Sequence, residues 1–368
     1  MAPTEIPDLS TLNDTHSKSL QQANRGSMYP GMFASLHPAG PMLHQYGTTG
    51  TPVDIAADWT IDQLDQAVAY GSHPSARAPE AAQCVRDEAL EKVKLGYCRV
   101  VKWSDMRQAL LKGQQRTKIS PLAAIPHKSR KFRMLLDLSA KARRTESMRN
   151  NMGTTVNDAT NKETAPLHSM AQLGSVLPRI IFQMATLSEE AGPIMSVKFD
   201  IKDGFWRMAV PLDAESEFCY PLPKLDPVED THIVIPASLQ MGWTSSPPFF
   251  CAASETGRDI AEWLRLFDHL PAHVMEDATL APTDPQLLHP FIIPSHWTDA
   301  DYAAYRRQIE YLLEIFVDDY IALVQSQDPE VLRHHSRALL HTIHQIFPSA
   351  PLTDIANDPV SQKKLLEG

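Results

Sequence analysis

The dipeptide Asp318-Asp319 lies between two apolar runs and strongly constrains how this part of the chain folds. Ile-Phe-Val precedes it at residues 315–317, and Tyr-Ile-Ala-Leu-Val follows it at residues 320–324. β-Branched and aromatic residues favour strands, and Asp is common in the tight turn that joins two strands. The sequence therefore predicts a β-hairpin with two carboxylates at its tip. Solubility alone does not explain carboxylates among so many apolar neighbours, and we interpret them as ligands for divalent metal.

A second predicted strand, residues 196–201, carries Asp200 near its end, 118 positions before Asp318. If the fold brings this strand beside the hairpin, three carboxylates can hold two Mg²⁺ ions about 3.5–4 Å apart. Mg²⁺ favours one or two carboxylates together with substrate phosphates over a closed protein cage. Most Asp-Asp pairs lie in solvated turns, so the pair taken alone leaves that alternative open.

Four segments, in this order along the chain, resemble motifs of reverse transcriptases. Residues 125–137 resemble the fingers strands, with their Lys and Lys-x-Arg. Residues 199–205 resemble the first catalytic motif, in which an aromatic residue follows the Asp by five positions. Residues 239–250 resemble the Gly-containing segment, and residues 316–319 the aromatic-x-Asp-Asp motif. The resemblance covers about residues 120–347 and points to polymerases of retrotransposons and retroviruses.

The resemblance implies an α+β fold, a right-hand polymerase with fingers and a palm whose antiparallel sheet is backed by helices. It implies RNA-directed DNA polymerase activity, a nucleotidyl transfer from dNTPs to a primer 3′-hydroxyl on an RNA or DNA template. Asp200, Asp318 and Asp319 would be the catalytic residues and the ligands of Mg²⁺, with Mn²⁺ as an alternative ion. The carbonyl of Ile201 would be a further ligand.

Five other residues are implied to bind the nucleotide. Lys128 and Arg133 would contact its phosphates, for which a fork of Arg donors and a Lys point charge are suited. Phe205 would exclude a 2′-hydroxyl and so select deoxyribose. Gly242 permits close backbone approach, and Met241 stands where retroviral relatives carry Gln. Read without the resemblance, the two cations fit a solvated basic turn and Phe205 fits a core aromatic.

Composition restricts the partners and the compartment. The net charge of −10 argues mildly against nucleic-acid binding, but residues 128–149 carry eight cations and two acids. Such a patch can neutralise template phosphates. The four Cys residues include no Cys-x-x-Cys, and no signal peptide or apolar run of about 18 residues is present. We expect an intracellular protein without a membrane partner, with the cytoplasm and the nucleus both left open.

The chain is predicted to have three regions. Residues 1–50 are rich in Pro, Gly, Ser, Thr and His and are expected to be disordered. Residues 51–119 form a helical extension that leads into the fingers, and residues 120–368 form the fingers and palm. Residues 268–301 are interpreted as an insertion loop, and residues 348–368 as a truncated tail.

Local patterns predict the main elements and several minor roles. Helices are expected at residues 58–69, 79–95, 173–189, 302–313 and 330–346, and a strand at residues 97–101. Asp203 is interpreted as a turn former, and Asp137 as a residue that orders the fingers. The spacing of four His residues in the insertion matches no compact metal site, so we expect solvated side chains: His269, His273, His289 and His296.

The sequence ends at Gly368 without a recognisable primer grip, thumb or ribonuclease H domain. We therefore expect a polymerase region truncated after the palm, with the missing parts supplied by the rest of a polyprotein. Two alternatives stay open. One is a catalytically incomplete retroelement remnant that only binds nucleic acid. The other is an unrelated metal-dependent phosphohydrolase that uses the same carboxylates.

Overall fold

The structure of the chain is a computed structural model. It describes these residues: 31–56, 59–113, 116–128, 131–140, 154–187, 192–267, 269–273, 275, 298, 300, 310–326, 328–347 and 360–362. The expectations for residues 1–30, for most of the insertion and of the tail, and for the basic residues Arg130, Lys141, Arg143, Arg144 and Arg149 lie outside this part of the chain.

The described residues form a mixed α and β structure in which helices accompany small antiparallel sheets, as expected of an α+β chain. The strands are β1 Cys98–Lys102, β2 Leu122–Pro126, β3 Phe132–Leu136, β4 Ile194–Ile201, β5 Tyr220–Pro221, β6 His232–Pro236, β7 Glu310–Phe316, β8 Asp319–Gln325 and β9 Val360–Gln362. The α-helices are Met32–Leu36, Gly40–Thr49, Ile61–Tyr70, Pro74–Arg77, Pro79–Lys94, Trp103–Leu111, Val156–Ala159, Val176–Thr186, Ser246–Leu264 and Pro329–Ile346.

The chain divides into two compact units. Described residues of the first unit lie within Gln45–Ala165 and Phe205–Ser246. Those of the second lie within Met28–His44, Pro166–Gly204 and Pro247–Gly368. No helix in the described part of the chain is long and apolar enough to cross a lipid bilayer.

The first unit contains a sheet in the order β1-β6-β5 and a separate hairpin of β2 and β3. Apolar residues of β1 and β6, such as Val101, Ile233 and Ile235, are buried in one core cluster together with Leu64 and Trp103. Burial of apolar surface of this kind is the main favourable term in folding. A hairpin is present where the resemblance implied the fingers strands, with Ile125 paired to Arg133.

Local capping signals explain the first helices. The helix Ile61–Tyr70 begins after a capping box, in which the Thr60 hydroxyl accepts from the Gln63 amide and the Gln63 side chain accepts from the Thr60 amide. The helix Pro79–Lys94 has Pro at its first position, and Gly96 follows its end with a φ of 76°. Both helices confirm the prediction to within a few residues.

Among the described residues of the first unit, two ion pairs are buried. Lys118 is fully buried, and its Nζ lies 2.7 Å from Glu217 Oε2. Arg99 Nε lies 3.4 Å from Glu215 Oε2, and both side chains are buried. Arg116 Nε also lies 3.7 Å from Glu217 Oε1, but its side chain is half-exposed, so removing Lys118 leaves the buried Glu217 carboxylate without its close partner. Such a loss costs much more than loss of an exposed pair.

We therefore predict that Lys118→Met lowers the free energy of unfolding by about 3 kcal/mol. The double variant Lys118→Met/Glu217→Gln should regain much of this loss, because no buried charge is left uncompensated. Arg107→Gln, at a partly exposed pair with Asp65, is the control and should change stability far less. Urea unfolding followed by circular dichroism measures all three, and an additive double variant would contradict the prediction.

The second unit contains a four-stranded sheet in the order β7-β8-β4-β9, with antiparallel pairing throughout. One face of this sheet is apolar and buried, including Val197, Phe199, Tyr320 and Ala322. The Tyr320 hydroxyl donates to the Ser254 carbonyl at 3.1 Å, which shows that the helix Ser246–Leu264 packs against β8. A sheet face covered by helices is what the sequence predicted for this region.

The structure departs from the sequence predictions at several places. Residues 32–36 and 40–49 are helical, although disorder was expected throughout residues 1–50. The prediction of a helix at residues 302–313 is wrong for residues 310–313, which form the beginning of strand β7. Apolar residues Tyr311 and Leu313 alternate along that strand, a period that fits a half-buried strand as well as the start of a helix. Within the expected tail, Val360–Gln362 pairs with β4.

His273 was expected to be solvated but is buried. Its Nε2 lies 2.8 Å from Nδ1 of His344, and its Nδ1 accepts from the Met275 amide at 3.1 Å. Since His344 lies in the helix Pro329–Ile346, only tertiary packing explains this burial. His269 is exposed, as predicted.

Candidate metal centre

The hairpin predicted around Asp318-Asp319 is present. Strand β7 ends at Phe316, β8 begins at Asp319, and these two residues are paired. The connecting loop therefore consists of Val317 and Asp318 alone. Val317 has a φ of 60°, which is unfavourable for a β-branched residue. The first loop position of a type II′ hairpin has a positive φ of this kind and therefore favours Gly. Backbone strain of this kind is often found at functional sites.

Strand β4 brings the third carboxylate to the hairpin. Asp200 is paired directly with Asp319 across the β4–β8 ladder. The amide of Ile201 donates to the Asp318 carbonyl at 3.0 Å and so fixes the end of β4 to the loop. One carboxylate oxygen from each of Asp200, Asp318 and Asp319 lies within 4.8 Å of the other two. All three side chains are half-buried.

The donor atoms of this cluster fit a hard divalent cation. Three carboxylates supply only oxygen, which suits Mg²⁺ and Mn²⁺. Cys251 lies near this cluster; burial above all, together with the negative charges of Glu255 and Asp318, raises the pKa of its thiol to about 12. The thiol is therefore neutral at physiological pH and does not compete as a soft ligand.

A lysine that sequence reasoning missed lies in the cluster. Lys198 is two residues before Asp200 on β4, and its ammonium forms an ion pair with Asp319 Oδ2. Alternate residues of a strand share a face, so the spacing of Lys198 and Asp200 could have predicted that the two side chains are neighbours.

A separate ion pair joins the sheet to a helix. On β7, Glu314 pairs with Arg179 of the helix Val176–Thr186.

The turn after β4 is shaped by two small or turn-forming residues. Asp203 has a φ of 58°, which confirms its prediction as a turn former, since Asp tolerates this region better than most residues. A Cβ on Gly204 would lie 2.9 Å from Phe250 Cζ and 3.5 Å from Asp318 Cβ. Phe250 is buried and stacked on Phe347, so its ring has little freedom to move.

The residues predicted to bind nucleotide belong to the first unit. Lys128 lies in the exposed turn after β2, and Arg133 is exposed on β3. Nη2 of Arg133 lies 3.3 Å from Sδ of Met241, so these two candidates are neighbours. Phe205 is half-buried at the start of the short helical turn after Gly204. The three carboxylates belong to the second unit.

The local packing explains why residue 242 is Gly. Its φ is 106°, and a Cβ at this position would lie 2.5 Å from the Leu136 carbonyl oxygen at the end of β3. Asn157 donates to the Gly242 carbonyl at 2.8 Å and accepts from the Thr244 amide at 2.9 Å. The backbone at Gly242 therefore closely approaches the β2–β3 hairpin, while its approach to a nucleotide stays a prediction.

Asp137 follows β3 and orders the chain there, as predicted. Its Oδ2 lies 3.2 Å from Nε2 of His73, and its Oδ1 accepts from the Ser139 amide at 3.1 Å. From the sequence, either Ser245 or Ser246 could cap the helix that follows, but Ser245 is buried, and its hydroxyl forms no hydrogen bond with the described residues. Ser246 instead donates to the Gln240 carbonyl at 2.8 Å.

No protein-family model and no curated protein sequence matches the chain. The resemblance to reverse transcriptases therefore rests on the four ordered motifs alone.

We predict that Gly204→Ala weakens divalent-cation binding about tenfold, because the new methyl group would crowd the Phe250 ring while in contact with Cβ of Asp318, and so would displace the turn beside the carboxylates. Gly174→Ala is the matched control, since a Cβ there meets nothing within 4 Å. Titration of each variant with Mn²⁺, followed by the electron paramagnetic resonance of the free ion, measures the affinity. Equal affinities for the two variants would contradict this explanation of Gly204.

Proposed function

We propose that the chain is the fingers-palm region of an RNA-directed DNA polymerase from a retroelement. The observation that carries the proposal is the convergence of Asp200, Asp318 and Asp319. One carboxylate oxygen from each lies within 4.8 Å of the others, although Asp200 and Asp318 are 118 positions apart in the sequence. Convergence of these three residues is what the motif order requires. A solvated Asp-Asp turn requires no third carboxylate from another strand.

The three carboxylates would hold Mg²⁺ or Mn²⁺, with the Ile201 carbonyl as a further ligand. Such ions, when bound, neutralise charge on the transferring phosphoryl group and lower the pKa of an attacking hydroxyl. The chain itself contributes positioning. The paired strands fix Asp200 opposite Asp319, and the short loop fixes Asp318 beside them.

Lys128, Arg133, Met241 and Gly242 are proposed to form the nucleotide site of the first unit. Lys128 and Arg133 are exposed cations at the β2–β3 hairpin, available to phosphate oxygens. Phosphoryl transfer needs positioning and charge neutralisation rather than covalent chemistry by the protein. The partners are then a template-primer and dNTPs.

A primer-extension assay tests the polymerase proposal. On an oligo(dT)-primed poly(rA) template, we expect dTMP incorporation that requires Mg²⁺ or Mn²⁺ and falls by about two to three orders of magnitude in Asp318→Asn. Removal of the cation with EDTA should abolish incorporation in the wild type. Asp259→Asn, at an exposed carboxylate on the helix Ser246–Leu264, is the control for loss of one acidic charge.

Other outcomes of this assay favour the alternatives. Salt-dependent template binding with no extension would favour a remnant that only binds nucleic acid. Phosphate release from dNTPs without a template would favour a phosphohydrolase. Either result would overturn the polymerase proposal.

Phe205, five positions after Asp200, is proposed to select deoxyribose by steric exclusion of a 2′-hydroxyl. We predict that Phe205→Val raises the ratio of ribonucleotide to deoxyribonucleotide incorporation, while Phe132→Val on β3 leaves this ratio unchanged. Primer extension with rUTP and dTTP in parallel measures the ratio. Unchanged discrimination in Phe205→Val would remove the assignment and leave the metal centre intact.

A further inference from the structure

The sheet itself places Lys198 beside the cluster of three carboxylates, in contact with Asp319. It lies on the same face of β4 as Asp200, because alternate residues of a strand share a face. Asp319 is paired with Asp200 on the neighbouring strand, and the Lys198 ammonium contacts Asp319 Oδ2. The lysine and aspartate side chains are 25% and 17% exposed, so water screens this pair only in part.

The position of this cation matters because the carboxylates repel one another. Three negative charges within a few ångströms raise the free energy of the folded state unless a cation compensates them. Lys198 supplies one positive charge inside the cluster. The same contact neutralises the Asp319 carboxylate that a divalent cation would need as a ligand, and an ammonium beside a divalent cation is strongly unfavourable.

We propose that Lys198 is an internal counter-ion of the metal centre, which a divalent cation must displace from Asp319 in order to bind. The lysine thereby stabilises the site without metal and lowers its affinity for metal. Lysine is suited to this exchange, since a compact ammonium on a flexible four-carbon stem can leave one carboxylate without movement of the backbone. This inference rests on the metal centre of the proposed function. It adds Lys198 as the residue that regulates how readily a divalent cation binds there.

Substitution of Lys198 tests the proposal through metal affinity rather than catalysis. Lys198→Met keeps the apolar stem and removes the charge, and we expect it to bind Mn²⁺ about three- to tenfold more tightly than the wild type. Lys198→Arg keeps the charge and should stay within about twofold of the wild type. Lys224→Met, at an exposed lysine of the first unit, controls for the change in net charge.

Mn²⁺ binding is measured by the electron paramagnetic resonance of the free ion at fixed pH and ionic strength. Unchanged or weaker binding by Lys198→Met would overturn the counter-ion role. The variant Asp318→Asn/Asp319→Asn shows which part of the signal comes from the triad. If neither the wild type nor Lys198→Met binds Mn²⁺ through the triad, the metal centre and the proposed polymerase function fail together.

A measurement on the wild-type chain covers the case in which Lys198→Met does not fold. Displacement should free the ammonium, so reductive methylation of Lys198, quantified by peptide mass spectrometry, should become several-fold faster when Mg²⁺ is added. Lys224 should react at the same rate with and without Mg²⁺. An unchanged or slower rate at Lys198 under conditions in which the triad binds the ion would overturn the proposal.

Discussion

The antiparallel pairing of β4 with β8 is the constraint on which the candidate site depends. It sets Asp200 directly opposite Asp319, while the hairpin loop adds Asp318. The register is fixed from the opposite face, where Phe199 and Tyr320 are buried. A slip of one residue would turn these side chains outward and the carboxylates inward, so the hydrophobic core determines the acidic site.

Close packing around the sheet leaves little tolerance for change. Tyr320 follows Asp319 in the sequence. A Cβ on Gly257, in the helix Ser246–Leu264, would lie 2.3 Å from the Tyr320 hydroxyl. The helix can approach β8 this closely only because that residue is Gly. Gly204 also packs closely against Phe250. The carboxylates are therefore held in place by residues that are not themselves candidate ligands.

Local signals predicted the elements well and tertiary contacts poorly. The hairpin, the Asp200 strand and the capped helices depend on neighbours in sequence, and the structure has each of them within a few residues. The burial of His273 against His344 and the ion pair of Lys118 with Glu217 join residues 71 and 99 positions apart. Propensity and periodicity carry no information about such contacts.

The sequence by itself determined the candidate residues: two carboxylates in a turn between apolar strands and a third at a strand end. Only the tertiary structure decided that these three meet and that Lys198 joins them, through its ion pair with Asp319. The physical reason is that residue type and local pattern are written along the chain, whereas strand order and register follow from how the whole apolar face is buried.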